Sequence, residues 1–180
     1  ISVKDLYGVS GYPTFAGAAS QLSAKWEAEG PVVRAVRQSL APVTGKTHTV
    51  EFAFGGIGTN PHWGSPRNPW NKNRVSGGSS AGAGVSLWEG SAMLALGSDT
   101  AGSVRIPASA TGTVGVKTSI GRWSVDGVVP LSPSLDTTGL LARSVADAVL
   151  GFAVIDPRVH NSGFGFLTAL RDIAVGDLQI

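Results

Sequence analysis

Residues 92–110 of the chain have the sequence AMLALGSDTAGSVRIPASA. Residues 92–96 are apolar and predict a buried strand, and residues 102–110 predict the start of a helix. A turn rich in glycine and serine joins the two. Segments of the same two kinds alternate along the rest of the chain. This alternation predicts an α/β protein with a mixed, largely parallel sheet flanked by helices.

The other predicted elements lie on both sides of this segment. Further strands are predicted at residues 1–4, 42–44, 114–116 and 173–175. Further helices are predicted at residues 31–40, 79–89 and 144–155. Ser144 is the expected N-cap of the last helix, with Asp147 three residues later. The intervening residues 55–78, rich in glycine and proline, predict one long loop, and loops of that length are usually functional.

Glycine is unusually frequent in this chain and charge is unusually rare. Charged residues make up 14% of the 180 residues, against about 25% in ordinary soluble proteins. The hydrophobic fraction of 42% is enough for a core, which excludes disordered and collagen-like chains. A net charge of +2 without a run of Lys and Arg argues against direct nucleic-acid binding. No stretch has the length of a membrane span, and the absence of Cys excludes thiolate metal sites.

Three familiar patterns fit parts of the sequence incompletely. Residues 45–47, GKT, could end a phosphate-binding loop, but the glycine required five positions earlier is Leu40. Residues 78–82, GSSAG, match a nucleophile elbow with Ser80 as nucleophile. The elbow requires a preceding strand, which residues 68–74 do not predict, and its histidine would have to be His160. A flexible linker is the third alternative, and the apolar residues between the glycines argue against it.

Two serines and a lysine form a pattern that fits better. Ser79 and Ser103 each follow a glycine-rich turn, and Lys4 follows a predicted strand. A serine needs a base to become a nucleophile, and burial can lower the pKa of a lysine until its neutral amine serves as that base. Backbone N–H groups in a turn of small residues can stabilise a developing oxyanion.

An ordered series of segments surrounds these three residues. The segments are residues 3–5, 45–47, 58–60, 77–82, 96–108, 115–117, 121–122, 127–132, 135–136 and 139–143. In this order they resemble the amidase signature family of Ser–cis-Ser–Lys hydrolases, over nearly the whole chain. The resemblance implies the amidase signature fold. The family domain is much longer, so we expect residues 1–180 to be a partial domain that lacks the N-terminal helices and the C-terminal half.

The resemblance also implies a role for each of the three residues. Ser103 would be the nucleophile that forms an acyl-enzyme. Ser79, joined to Gly78 by a cis peptide bond, would relay protons, and Lys4 would be the ultimate base. Water would then release a carboxylic acid. The oxyanion hole would consist of the backbone N–H groups of Thr100, Ala101, Gly102 and Ser103.

Other polar and aromatic residues have structural interpretations. Residues expected to support the site are Ser80, Asp99 and Arg105. Lys46 is expected to be structural. The histidines are expected at the surface or hydrogen-bonded, outside the mechanism: His48, His62 and His160. The tryptophans are expected in the core: Trp63, Trp70 and Trp123. The family commonly has Gly-Gly where this chain has Ala81-Gly82 and Ala101-Gly102. The methyl group of Ala101 disfavours positive φ at that position, which bears on the geometry of the oxyanion hole.

The predicted function is hydrolysis of linear carboxylic amides to a carboxylate and ammonia or an amine, with no metal and no cofactor. We expect a small-molecule amide substrate, no direct nucleic-acid partner, no membrane segment and a cytoplasmic location; a homo-oligomer is left open. One alternative is the glutamine-hydrolysing component of a tRNA-dependent amidotransferase. Another is a non-catalytic or split fragment of an amidase. The residues do not indicate which amide is the substrate.

Overall fold

The computed structural model of the chain describes residues 1–160. Its elements are β1 (Ser2–Lys4), α1 (Pro31–Gln38), β2 (Gly45–Thr47), α2 (Ala81–Trp88), β3 (Leu94–Asp99), α3 (Arg105–Thr111), β4 (Val114–Lys117), β5 (Thr137–Ala142), α4 (Val145–Ile155) and α5 (Pro157–His160). Short 3-10 turns lie at Ala24–Glu27 and Glu51–Ala53. The strand predicted at residues 173–175 lies outside the described residues.

The five strands of residues 1–160 form one sheet in the order β2-β1-β3-β5-β4. β1 runs parallel to both of its neighbours, with Ser2 opposite Gly45 on β2 and Ala95 on β3. β5 runs antiparallel to β3 and to β4. Four of these strands therefore point the same way and β5 is reversed. The prediction of a mixed, largely parallel sheet is confirmed.

Helices cover both faces of this sheet. On β3, Leu96 belongs to the larger core cluster, which also contains residues of α1 and α4. Its neighbour Ala95 belongs to the second cluster, with residues of α2 and α3. Leu140 and Leu141 of β5 are divided between the two clusters in the same way. Successive side chains of a strand point to opposite faces, so the sheet lies between two helical layers, as the α/β class requires.

Small residues allow α2 to lie close to its neighbours. Every residue from Ala81 to Leu87 is buried. A Cβ at Gly84 would lie 2.2 Å from Thr111 Oγ1 on α3. No real Cβ comes so close to another heavy atom, so glycine is required for this contact between α2 and α3.

Three strands differ from their predictions. β2 lies at Gly45–Thr47 instead of residues 42–44, because the pairing with β1 falls on those later residues. β3 extends to Asp99, beyond the predicted end at residue 96, because it pairs with β5 along its whole length. β5 has no counterpart among the predicted strands. Its residues are all buried, and a strand covered on both faces lacks the alternation that predicts strands.

The long loop at residues 55–78 contains neither helix nor strand, as predicted, and two buried asparagines hold it. The Asn60 side chain donates to the carbonyls of Gly17 and Thr49 and accepts two backbone N–H bonds. Asn68 makes the same kind of contacts further along, with the carbonyls of Val75 and Ala110 as its acceptors. Side-chain amides therefore replace regular structure in fixing this loop.

The tryptophans are only partly where they are expected. Trp123 is buried, but Trp63 and Trp70 are 54% and 66% exposed, so their predicted place in the core is wrong. Both belong to the long loop on the surface, and each indole N–H donates to a backbone carbonyl. Trp70 also packs edge-to-face against Trp88. These contacts hold one side of each ring and leave the other side to solvent.

Candidate active site

Lys4 is the last residue of β1 and is completely buried. Its Nζ donates to Ser79 Oγ at 2.7 Å and to Ser98 Oγ at 3.0 Å. Burial lowers the pKa of Lys4 to about 7, against a smaller opposing effect of the Asp99 and Asp136 carboxylates. Much of the Lys4 amine is therefore neutral near neutral pH, as a general base requires.

Ser79 lies in the turn before α2 and follows a cis peptide bond from Gly78, as the resemblance implies. The Ser79 carbonyl accepts the N–H of Val50 at 3.1 Å, and the Gly78 N–H donates to the Gly56 carbonyl at 2.8 Å. A Cβ at Gly78 would lie 2.8 Å from the backbone nitrogen of Gly58, so this approach requires glycine. Backbone groups of residues 50–58, just before and at the start of the long loop, thus hold the turn.

Ser103 lies in the turn between β3 and α3 and is 8% exposed. Its carbonyl accepts the N–H of Ser80 at 3.2 Å, which joins the two serine turns. Within residues 1–160 no hydrogen bond is made by Ser103 Oγ, so none joins it to Ser79 Oγ. The structure therefore brings Lys4 and Ser79 into direct contact and places the Ser103 hydroxyl in the adjoining turn.

Asp99 holds the loop that carries Ser103. Its carboxylate accepts the N–H groups of Gly102 at 2.8 Å and Val104 at 3.0 Å, and two bonds from the Arg105 guanidinium at 3.0 and 3.1 Å. Burial alone would raise the pKa of Asp99, but the Arg105 guanidinium and these N–H groups lower it below its ordinary value. These are the contacts expected of supporting residues, because they fix the loop that carries Ser103.

Gly102 departs from its expected place in the oxyanion hole. Its N–H donates to Asp99 and is therefore not free for a substrate in this structure. The backbone N–H groups of Thr100, Ala101 and Ser103 donate no hydrogen bond to any group of residues 1–160. Gly102 has a φ of 124°, in the region that favours glycine, whereas Ala101 is not among the residues with positive φ. The alanine at position 101 is thus compatible with the loop.

Sequence reasoning missed three polar residues beside this loop. Asp136 accepts the Thr100 hydroxyl at 2.5 Å and two backbone N–H groups of the segment before it. Ser98 lies opposite Thr138 in the pairing of β3 with β5, and both line a cavity of about 70 Å³. Alternation along β3 would indicate Ser98 only if the strand were extended to its true end.

The nucleophile elbow does not fit this structure. Ser80 is completely buried, and its hydroxyl donates to the Ser98 carbonyl at 3.3 Å. No strand of residues 1–160 ends directly before Ser80. The side chain of His160, the histidine that an elbow would need, lies outside what the structure describes.

Other candidate residues have structural partners. Lys46 Nζ lies 2.6 Å from Asp5 Oδ1, so it forms an ion pair rather than a phosphate site. His48 Nε2 lies 2.8 Å from the Gly64 carbonyl, and His62 contacts a glutamate at the surface. In the described part of the chain no three His, Cys, Asp or Glu side chains form a group that could hold a metal ion. Within the same residues no helix has the length and apolar character to cross a membrane.

The chain is similar to amidases and related proteins in both sequence and structure. The family model described as Amidase matches residues 1–162. The chain is 63% identical over 158 residues to 2-amino-5-chloromuconic acid deaminase of Comamonas testosteroni, an alignment that covers 87% of the chain and 34% of that protein. It is 40% identical over 188 residues to the A subunit of glutamyl-tRNA(Gln) amidotransferase from Mycobacterium bovis (strain BCG / Pasteur 1173P2). This alignment covers 99% of the chain and 38% of that protein. A crystal structure of an amidase matches with a TM-score of 0.81 at 44% identity, over 86% of this chain and 35% of that one.

These similarities agree in sequence and in fold. The chain spans about a third of the length of the relatives it matches. The family model nevertheless covers most of the chain, and the described sheet and helices match those of a solved amidase. The chain therefore belongs to the amidase signature family.

Proposed function

We propose that the protein hydrolyses a carboxylic amide through an acyl-enzyme on Ser103. The observation that carries this proposal is the buried Lys4 amine, 2.7 Å from Ser79 Oγ and with a pKa lowered to about 7. A buried amine is costly when charged. Its neutral form, in contact with a serine hydroxyl, is suited to receive a proton. Membership of the amidase family supports the same reaction class.

The first half of the proposed reaction forms the acyl-enzyme. The neutral Lys4 amine accepts the Ser79 proton while Ser79 Oγ accepts the proton of Ser103. Ser103 Oγ forms a bond to the carbonyl carbon, and the carbonyl oxygen becomes an oxyanion. The N–H groups of Thr100, Ala101 and Ser103 are its proposed donors. The C–N bond then breaks, and the leaving amine receives the proton back through Ser79.

The second half of the reaction releases the acid. Water attacks the acyl carbon while its proton moves along the same path, and the carboxylate leaves with Ser103 restored. Because the base must be neutral, we expect kcat/KM to rise with pH through about 7. A protein without the Lys4 amine should lose about 10²–10⁴-fold in rate and lack this rise.

The substrate is proposed to be a small-molecule amide, and two relatives suggest compounds to test. One is named for deamination of 2-amino-5-chloromuconic acid, and the other is named as a component of a glutamyl-tRNA(Gln) amidotransferase. The panel should therefore contain an unsaturated 2-amino dicarboxylic acid and glutamine beside simple amides. Glutamine hydrolysis that requires added partner proteins would favour the amidotransferase alternative. A cytoplasmic location stays a prediction. A homo-oligomer stays open, and light scattering measures the oligomeric state.

Fluorophosphonate labelling with peptide mapping tests the proposed nucleophile in the protein at its full natural length. We expect one adduct, on Ser103, which is absent from Ser103→Ala and strongly slowed in Lys4→Ala. Ser86→Ala removes a buried hydroxyl on α2 that contacts neither residue, and should label like the wild type. An adduct on Ser80 would overturn the mechanism and restore the nucleophile elbow. Absence of labelling in the folded protein would favour the non-catalytic alternative.

A further inference from the structure

Lys4 has a second side-chain partner that the proposed chemistry does not use. Ser98 Oγ lies 3.0 Å from Lys4 Nζ, and Ser98 is 7% exposed. Ser98 lies on β3, which pairs directly with β1, and opposite Thr138 on β5. Two neighbouring strands of the sheet thus determine where the Ser98 hydroxyl meets the Lys4 amine.

A lysine that acts as a base must present its lone pair in one direction. A neutral amine has two N–H donors and one lone pair, and only the lone pair can accept the Ser79 proton. Rotation about the last C–N bond of Lys4 exchanges these three positions. An acceptor for one N–H restricts this rotation and can keep the lone pair toward Ser79 Oγ, 2.7 Å away. Ser98 Oγ is at the right distance to be that acceptor.

We propose that Ser98 is a positioning residue that accepts one N–H of the Lys4 amine and thereby orients its lone pair toward Ser79. This inference rests on the proposed function, since it takes Lys4 as the base. Ser98 gains no bond to substrate and transfers no proton. It acts only through Lys4, and its loss should therefore impair turnover more than substrate binding.

The charged groups around the amine determine the direction of its pH response. Asp99 and Asp136 raise the pKa of Lys4, although burial lowers it more. On β2, the neighbouring Lys46 is paired with Asp5 at 2.6 Å. A hydroxyl oxygen accepts more strongly from a charged amine than from a neutral one. Removal of the serine hydroxyl should therefore favour the neutral amine and move its titration to lower pH.

The test uses Ser98→Ala and Ser98→Thr in the protein at its full natural length. One readout is the pH dependence of amide hydrolysis, and the other is the NMR titration of the ¹³Cε of Lys4, assigned with Lys4→Met. For Ser98→Ala we expect kcat to fall about 10–100-fold with little change in KM. The rise in rate and the NMR titration should both move down by about one pH unit.

Two variants separate this role from a purely structural one. Ser98→Thr retains the hydroxyl, and its added methyl adjoins the cavity of about 70 Å³ beside Ser98. The pH dependence of hydrolysis and the NMR titration of Lys4 should therefore both be close to those of the wild type. Ser86→Ala also loses a buried hydroxyl, one bonded to Ser2, and should shift neither.

An unchanged Lys4 titration in Ser98→Ala would overturn the proposal, as would equal effects of Ser98→Ala and Ser86→Ala. If the wild type hydrolyses no amide while the titration still moves in Ser98→Ala, the proposed function fails and the orienting contact stands.

Discussion

Replacing Lys4 by methionine keeps an unbranched apolar side chain and removes the buried amine. The fold lowers the pKa of Lys4 from 10.5 to about 7, because the amine is completely buried. This lowering corresponds to roughly 5 kcal/mol of unfavourable free energy for the charged amine in the native state. The wild type carries the whole of this free energy below pH 7, where the amine is charged in the native and the unfolded chain alike.

The sign of the pH dependence follows from proton binding. Between about pH 7 and pH 10.5 the unfolded chain binds a proton at Lys4 that the native chain has released, so the free energy of unfolding rises with pH. From pH 7 to pH 9 the wild type should gain about 2 kcal/mol from this group. Lys4→Met has no such group, so the wild type should gain that amount relative to the variant.

Guanidinium unfolding followed by tryptophan fluorescence measures both proteins, at full natural length, across this pH range. Lys4→Met also leaves the Ser79 and Ser98 hydroxyls without their partner, which lowers its stability by a constant amount. The diagnostic quantity is therefore how the difference in free energy of unfolding between the wild type and Lys4→Met changes with pH. Ser86→Ala should follow the wild type. A difference that is constant between pH 7 and pH 9, or that moves the other way, would refute the neutral, buried amine.

Three further substitutions test the packing of α2 against α3 and the carboxylates of Asp99 and Asp156. Gly84→Ala should destabilise by about 1–3 kcal/mol because its methyl would lie 2.2 Å from a hydroxyl on α3. Its control is Gly45→Ala, whose Cβ meets nothing within 4 Å, and equal melting temperatures of the two variants would contradict this packing. Asp99→Asn should cost about 2–3 kcal/mol in urea unfolding and lower kcat, since the loop N–H groups and a guanidinium lose their carboxylate. An unchanged kcat would separate that loop from catalysis. Burial would raise the pKa of Asp156, but its hydrogen-bond donors lower it below the ordinary value. Its stabilisation is therefore present above that value and lost as the pH falls through the lowered pKa. Asp156→Asn should show a smaller loss of stability in acid, and an identical acid transition would argue against this.

The last long helix could be predicted because its signals are local. The Ser144 hydroxyl accepts the N–H of Asp147 at 3.1 Å, as its position three residues earlier predicts. The helix that follows runs from Val145 to Ile155, within one residue of the expected start. An N-cap depends on a few neighbouring residues. The local sequence alone is therefore enough to predict such a helix.

β5 is the opposite case. It contains Gly139, where a Cβ would lie 2.4 Å from the Val116 carbonyl of β4. Glycine weakens the strand pattern of a sequence, yet here it is required by the approach of another strand. The cause of this strand lies in its partners on both sides, so the local sequence does not reveal it.

The candidate site likewise contains residues that the sequence predicts and residues that it does not. Its three principal residues are predicted from glycine-rich turns and the family resemblance, and Lys4 and Ser79 do lie in contact. Ser98 escapes prediction because it depends on where β3 ends and on which strand lies beside it. The use of the Gly102 N–H by Asp99 depends on the conformation of a turn, which residue types alone do not determine.

The contact between Lys4 and Ser98 also has a consequence for the synthesis of the chain. The two residues are 94 positions apart. At ribosomal rates of roughly 5–20 residues per second, Ser98 is added to the chain about 5–20 s after Lys4. During that interval β1 lacks β3, one of its two neighbouring strands, and its amine is hydrated and protonated. Enclosure of β1 in the growing sheet must then expel part of that proton population, so the maturation of each new chain is coupled to the acidity of the compartment in which it is made.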